Sequence, residues 1–107
     1  MALEVSSDTF EKEVVQSDKP VLVDFWGPQC APCLALTPQV EDLGKKYEGK
    51  LKVTKIDASK NRRLCLNLKV LGLPTFLLYK NGKELDRLTG GDVTIKDIDQ
   101  SVKRIIE

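Results

Sequence analysis

Four residues, Cys30-Ala31-Pro32-Cys33, constrain this chain most, because they stand where one hydrophobic pattern gives way to another. Residues 21–26, Val-Leu-Val-Asp-Phe-Trp, are β-branched, aromatic and almost entirely apolar, as in a strand buried on both faces. Beyond the cysteines, Leu36, Val40, Leu43 and Tyr47 recur at i, i+4, i+7 and i+11, a single helical stripe. Cys-x-x-Cys between a strand and a helix reads as a thiol–disulfide exchange site.

Such a site needs two sulfurs close enough to bond, with one still open to an outside partner. Residues three apart share a helix face, so Cys30 at the helix start and Cys33 one turn later satisfy both needs. The unpaired N–H groups and positive dipole end of a helix favour a thiolate on Cys30. Pro32 falls within the first turn, where a missing N–H costs little, and stiffens it. Two other readings stand beside this one, an inert buried cysteine pair and half of a zinc site. Tetrahedral zinc takes four ligands, whereas Cys65 is the one cysteine left and the chain has no histidine.

The lack of histidine also removes Cys–His pairs, Ser–His–Asp triads and histidine metal sites. A proton carrier near neutral pH must then be a cysteine, or a carboxylate or lysine shifted by burial. At 107 residues the chain reads as one domain over 1–107, able to bury about two-thirds of its unfolded surface. A net charge of +1 gives no reason to expect nucleic acid as a partner. No apolar run approaches the roughly 20 residues of a membrane span. The first residues lack the basic start and apolar core of a signal peptide, and three cysteines do not form the even set of a secreted framework. The expected compartment is therefore the reducing cytoplasm.

The remaining patterns predict a short edge strand over 3–5 and a helix over 8–16, capped by the pair Asp8 and Glu11. A strand follows over 51–57, then a short helix over 59–68 capped by Ser59. Strands over 75–80 and 83–88 flank Asn81-Gly82, the preferred dipeptide of a two-residue hairpin. A last helix begins near Thr94, with Thr94 and Asp97 as its cap pair. The order β-α-β-α-β-α-β-β-α predicts an α/β fold. Its central sheet is mixed, with parallel strands and a C-terminal antiparallel hairpin, and helices flank both faces.

Asp24 is the one polar residue of its strand, on the same face as Leu22 and Trp26. It is a structural ion-pair member, an edge-exposed carboxylate, or a proton acceptor for a buried Cys33. Lys55 falls on the apolar face of the next strand, from which its stem could cross the core towards Asp24. Gly72-Leu73-Pro74-Thr75, by itself, is a strand entered through a proline.

Val23-Asp24-Phe25-Trp26 before Cys30-Ala31-Pro32-Cys33, Pro38 in the following helix, Lys55, Gly72-Leu73-Pro74-Thr75 and Asn81-Gly82 together resemble the thioredoxin family. The likeness runs in order over essentially the whole chain. It implies a thioredoxin fold and a protein-disulfide reductase in which Cys30 attacks a target disulfide and Cys33 resolves the mixed disulfide. It implies that Asp24, assisted by Lys55, handles the resolving proton, and that Pro74 is cis and packed against the cysteines. The substrate-binding face it implies carries Trp26, Gln29, Ala31, Pro32, Leu73, Pro74 and Gly90, with the Leu73 backbone pairing to an extended segment. No cofactor or metal beyond the Cys30–Cys33 disulfide is implied. The partners would be disulfide-containing proteins and a flavin-type thioredoxin reductase, the protein itself being a monomer.

The family commonly reads Trp-Cys-Gly-Pro-Cys-Lys, whereas this chain has Gln29, Ala31 and Leu34 at the three variable positions. Gln29 removes an aromatic from the docking surface, and Leu34 exchanges a positive charge for an apolar group, so partner choice should differ. Pro32 stands where oxidising relatives typically carry histidine, which favours a reductant over the alternatives, a thiol oxidase or isomerase and a redox-independent docking subunit.

Cys65 shares a helix face with Leu68 and reads as a small buried hydrophobe. Alkylation of the native, reduced protein should accordingly modify Cys65 far more slowly than after unfolding; rapid native modification, followed by mass spectrometry, would overturn that reading.

Overall fold

The computed structural model describes residues 2–107. Strands β1 (Leu3–Glu4), β2 (Val21–Trp26), β3 (Lys52–Asp57), β4 (Thr75–Lys80) and β5 (Lys83–Thr89) form one sheet in the order β1-β3-β2-β4-β5. β3 pairs in parallel with β1 and β2, while β4 runs antiparallel to β2 and β5. Helices α1 (Ala31–Lys46), α2 (Arg62–Asn67) and α3 (Ile95–Ile106) complete the expected mixed α/β architecture.

Alternation along β2 divides the interior in two. Val21, Val23 and Phe25 join Val14, Ile56, Cys65 and Leu77 in one core. Leu22 joins residues of α1 and α3, among them Leu36, Val40, Ile98 and Val102, in the other. Each such side chain contributes about 1.5–3 kcal/mol when fully buried. A strand buried this way must end against helix α1, and that junction carries the cysteines.

Local chemistry explains the ends of several elements. At the hairpin, Asn81 and Gly82 have φ of 55° and 79°, the left-handed pair of a type I′ turn. A Cβ on Gly82 would also approach the Val15 carbonyl to 3.2 Å. The capping box of α3 is formed: Asp97 N–H donates to Thr94 Oγ1 at 3.2 Å, and Thr94 N–H donates to Asp97 Oδ2 at 3.0 Å. Pro38 lies inside α1 and withholds the N–H that would bond the Leu34 carbonyl. Arg87 of β5 donates to the Lys69 and Leu68 carbonyls at 2.8 and 2.7 Å, fastening the end of α2, while Glu84 holds the same guanidinium.

Three local expectations need correction. The predicted helix over 8–16 is a shorter π-helical turn, Glu11–Val15, in which Gln16 N–H donates to the Glu11 carbonyl. Asp8 does not cap it; Ser6 N–H donates to Thr9 Oγ1 at 3.0 Å, and burial of Phe10 and Val14 sets where the turn lies. The helix over 59–68 is two pieces, a 3-10 turn Ala58–Lys60 and then α2. Asp57 rather than Ser59 caps the first piece, its Oδ1 accepting from the Ser59 N–H and hydroxyl at 2.9 and 2.6 Å, because a carboxylate is the stronger acceptor. The strand expected from 51 begins at Lys52, although Leu51 is buried.

Removing the α3 cap with Thr94→Ala should cost about 1 kcal/mol in urea unfolding. Ile98→Ala, which empties part of the core under that helix, should cost about 2–5 kcal/mol.

Candidate active site

Cys30 is the N-cap of α1, with extended backbone at φ −94° and ψ 97°. Its carbonyl accepts the first helical bond from Leu34 N–H at 3.1 Å, and its Sγ accepts from Cys33 N–H at 3.2 Å. The two cysteines form a disulfide with S–S 2.06 Å and Cα–Cα 5.3 Å. Cys33 is only 2% exposed, whereas Cys30 is half-buried and the neighbouring Gln29, Ala31 and Pro32 are exposed. An outside molecule therefore meets Cys30 first. Thr37, one turn beyond Cys33, donates its hydroxyl to the Cys33 carbonyl at 3.2 Å.

A groove of about 600 Å³ opens beside Cys30, lined by Pro28, Gln29, Ala58, Arg62 and Leu73. Leu73 packs so closely on Gly27 that a Cβ there would meet Leu73 Cδ1 at 3.2 Å. The Leu73–Pro74 peptide is cis, and Pro74 is buried. Thr75 donates its hydroxyl to the Gly72 carbonyl at 2.6 Å, so the Thr89 hydroxyl, 2.7 Å away, donates to Thr75. Gly90 N–H donates to the Pro74 carbonyl at 2.9 Å. Leu73, Pro74 and Gly90 are thus held in one rigid loop pair. The backbone N–H and carbonyl of Leu73 make no hydrogen bond among the described residues.

Asp24 is 7% exposed on the face of β2 that looks towards α1. In register with it stand Lys55 on β3 and Phe76 on β4. Burial pushes the Asp24 carboxyl up to about 7; the Lys55 ammonium opposes that rise and Glu41 adds to it. Lys55 does not cross the core as its position on an apolar face suggested. Its side chain is 36% exposed, 4.0 Å from Glu4 and 6.0 Å from the Trp26 ring centroid, because the parallel register carries it to the rim beside β1. Trp26 is half-buried at the end of β2, and its indole N–H is buried without an acceptor among the described residues.

Cys65 is buried and unbonded, and burial pushes its thiol up. A larger hollow of about 760 Å³ lies at the opposite end of the sheet, bordered by Lys12, Lys19, Glu48 and Lys52, and holds no sulfur. Among the described residues no group of three or more Cys, Asp or Glu side chains is arranged to hold a metal ion. Nor is any helix among them long and apolar enough to cross a membrane. The sequence reading passed over Thr37, Glu41, Arg62 and the hydroxyl of Thr75. The first two had a signal: Cys33, Thr37 and Glu41 follow at i, i+4 and i+8, a row beside the apolar stripe of α1.

Comparison with known proteins agrees with this geometry. The family model described as Thioredoxin matches residues 1–104. A thioredoxin of Acetoanaerobium sticklandii is 46% identical over 103 residues, covering 96% of this chain and 98% of that one. A thioredoxin of Peptoclostridium acidaminophilum is 41% identical over 104 residues, covering 97% and 94%. Thioredoxin 1 of a Nostoc species is 39% identical over 89 residues, covering 83% of each chain.

The buried Asp24 makes stability depend on pH. Its folded-state ionisation, near 7, lies above the ordinary 3.8, so the folded protein binds the extra proton between those values. Stability should then fall as pH rises from about 4 to 7 and level off above. Asp24→Asn should remove that slope and stabilise the disulfide form by about 2–4 kcal/mol at pH 8, measured by urea unfolding across pH.

Proposed function

The chain belongs to the thioredoxin family, whose members are thiol–disulfide oxidoreductases, and on that premise we propose how its residues reduce protein disulfides. The observation that carries the assignment is the unequal exposure of two sulfurs one helical turn apart, Cys30 half-buried and Cys33 nearly closed off. Cys30, at the helix N-terminus, is the nucleophile, since the dipole and free N–H groups there favour its thiolate. Cys33 is the resolving thiol.

In the first step the Cys30 thiolate attacks one sulfur of the target disulfide. A Cys30–target bond forms, and the target's other sulfur leaves as a thiolate and takes a proton from water. Asp24 then accepts the proton of Cys33, and the Cys33 thiolate attacks Cys30 Sγ. This closes the intramolecular disulfide and releases the second target thiolate, so two electrons have passed from the dithiol to the target. The near-neutral ionisation of Asp24 suits it to this exchange, with Lys55 favouring its charged form.

An extended target segment lies along the groove beside Cys30, pairing with the unbonded Leu73 main chain, as in β-strand addition. Trp26, Gln29, Ala31, Pro32, Pro74 and Gly90 complete that surface. Exposed Gln29 and Leu34 give it a more polar tip and an apolar flank, which select among targets. The whole chain acts as one monomeric domain in the cytoplasm, where the free, buried Cys65 stays reduced. A nicotinamide-dependent, flavin-containing thioredoxin reductase returns the electrons.

Cys33→Ser should accumulate mixed disulfides with substrate proteins, while Cys30→Ser should not; the reverse pattern on non-reducing gels would overturn the assignment. The unaltered protein should catalyse insulin reduction by dithiothreitol.

A further inference from the structure

A second carboxylate shares the space around Asp24. Asp24, Trp26, Thr37, Glu41 and Lys55 line a cavity of about 210 Å³ between β2 and α1. Since one water occupies about 30 Å³, it has room for several, and three ionisable groups and a hydroxyl supply their partners. Glu41 is half-buried on α1, and its Oε1 accepts from the Ala2 backbone N–H at 3.1 Å. Its Oε2 has no hydrogen-bond partner among the described residues. Glu41 is the other carboxylate of the cavity. Lys55 on β3, which also reaches towards Glu4 of β1, acts on Asp24 more strongly than Glu41 and in the opposite sense. Thr37 is uncharged, and Phe76, in register on β4, is apolar.

We propose that Glu41 is a positioning residue for proton transfer, exchanging the Asp24 proton with bulk water through the cavity they share. It rests on reading Asp24 as the acceptor of the Cys33 proton. The balance is simple: Cys33 gives its proton to the Asp24 carboxylate, cavity water passes a proton from Asp24 to Glu41, and Glu41 releases one to solvent. Both carboxylates end the cycle ionised. The repulsion that Glu41 exerts on the Asp24 charge fits this path, because it eases transfer of a proton onto Asp24. The edge strand thereby gains a chemical role, since the backbone just before β1 holds Glu41 and Glu4 within β1 faces Lys55.

The test compares the reduced full-length protein with its Glu41→Gln, Glu41→Asp and Asp24→Asn variants. The Asp24 carboxyl is titrated by ¹³C NMR, and resolution of a mixed disulfide on Cys30 is followed by stopped flow across pH. Glu41→Gln should move the Asp24 ionisation about 0.5–1 pH lower, as loss of one nearby charge predicts. It should also slow resolution about threefold to tenfold, less than the 10²–10⁴ of a direct acid–base group. Glu41→Asp should restore both, and added formate should restore the rate of Glu41→Gln. A Gln variant that titrates and resolves as the unaltered protein does overturns the proposal, and so does a shifted titration with an undiminished rate. If Asp24→Asn leaves the pH dependence of resolution intact, the reading of Asp24 fails as well; if it abolishes that dependence while Glu41→Gln changes nothing, the role of Glu41 alone fails.

Discussion

With both faces of β2 covered by apolar side chains, Asp24 meets water along a narrow gap beneath α1. That confinement is what gives a common carboxylate an uncommon ionisation, for burial penalises the charge more than the half-exposed Lys55 can offset. The sheet order adds to it. β3 and β4 flank β2 on either side, so neither neighbour of Asp24 can be exchanged for solvent. A carboxylate in this position lowers the stability of its own fold at neutral pH.

The same strand sets the sulfur chemistry. β2 ends at Trp26, and the short connection Gly27-Pro28-Gln29 delivers Cys30 to the N-cap of α1. One sulfur is then held at the mouth of the groove and the other beneath it, by ordinary helix geometry rather than by any dedicated contact. Asp24 lies on the face of β2 beneath α1, in a cavity that Leu34 and Thr37 of that helix also line. The groove beside Cys30 and the buried carboxylate therefore open on different sides of the β2–α1 junction.

The main outline was legible because it rests on periodicity. Val21–Trp26, the α1 stripe, Asn81-Gly82 and the Thr94/Asp97 box each announce an element through short-range rules that the tertiary structure obeys. Asp8 and Ser59 misled because a capping signal competes with neighbours: burial of Phe10 governs the first turn, and the Asp57 carboxylate governs the second. Lys55 misled differently. Its face was read correctly, but whether a long side chain on that face runs inward or to the rim depends on the strand beside it, and β1 is only two residues long. Thr75 and Arg62 could not be found by spacing, because their importance comes from elements distant in sequence.

Arg87 acts as a mechanical tie. By gripping the carbonyls of Leu68 and Lys69, it ties the stretch that leads to Leu73 onto the outer hairpin, while Thr75 and Gly90 tie the far side of the same loop. One bank of the groove is thus anchored in the antiparallel half of the sheet, and the other, at Cys30, in a helix fed by its parallel half. The width of the cleft is a property of the sheet itself, so an extended segment docking there would meet a gauge that its own binding would do little to reset.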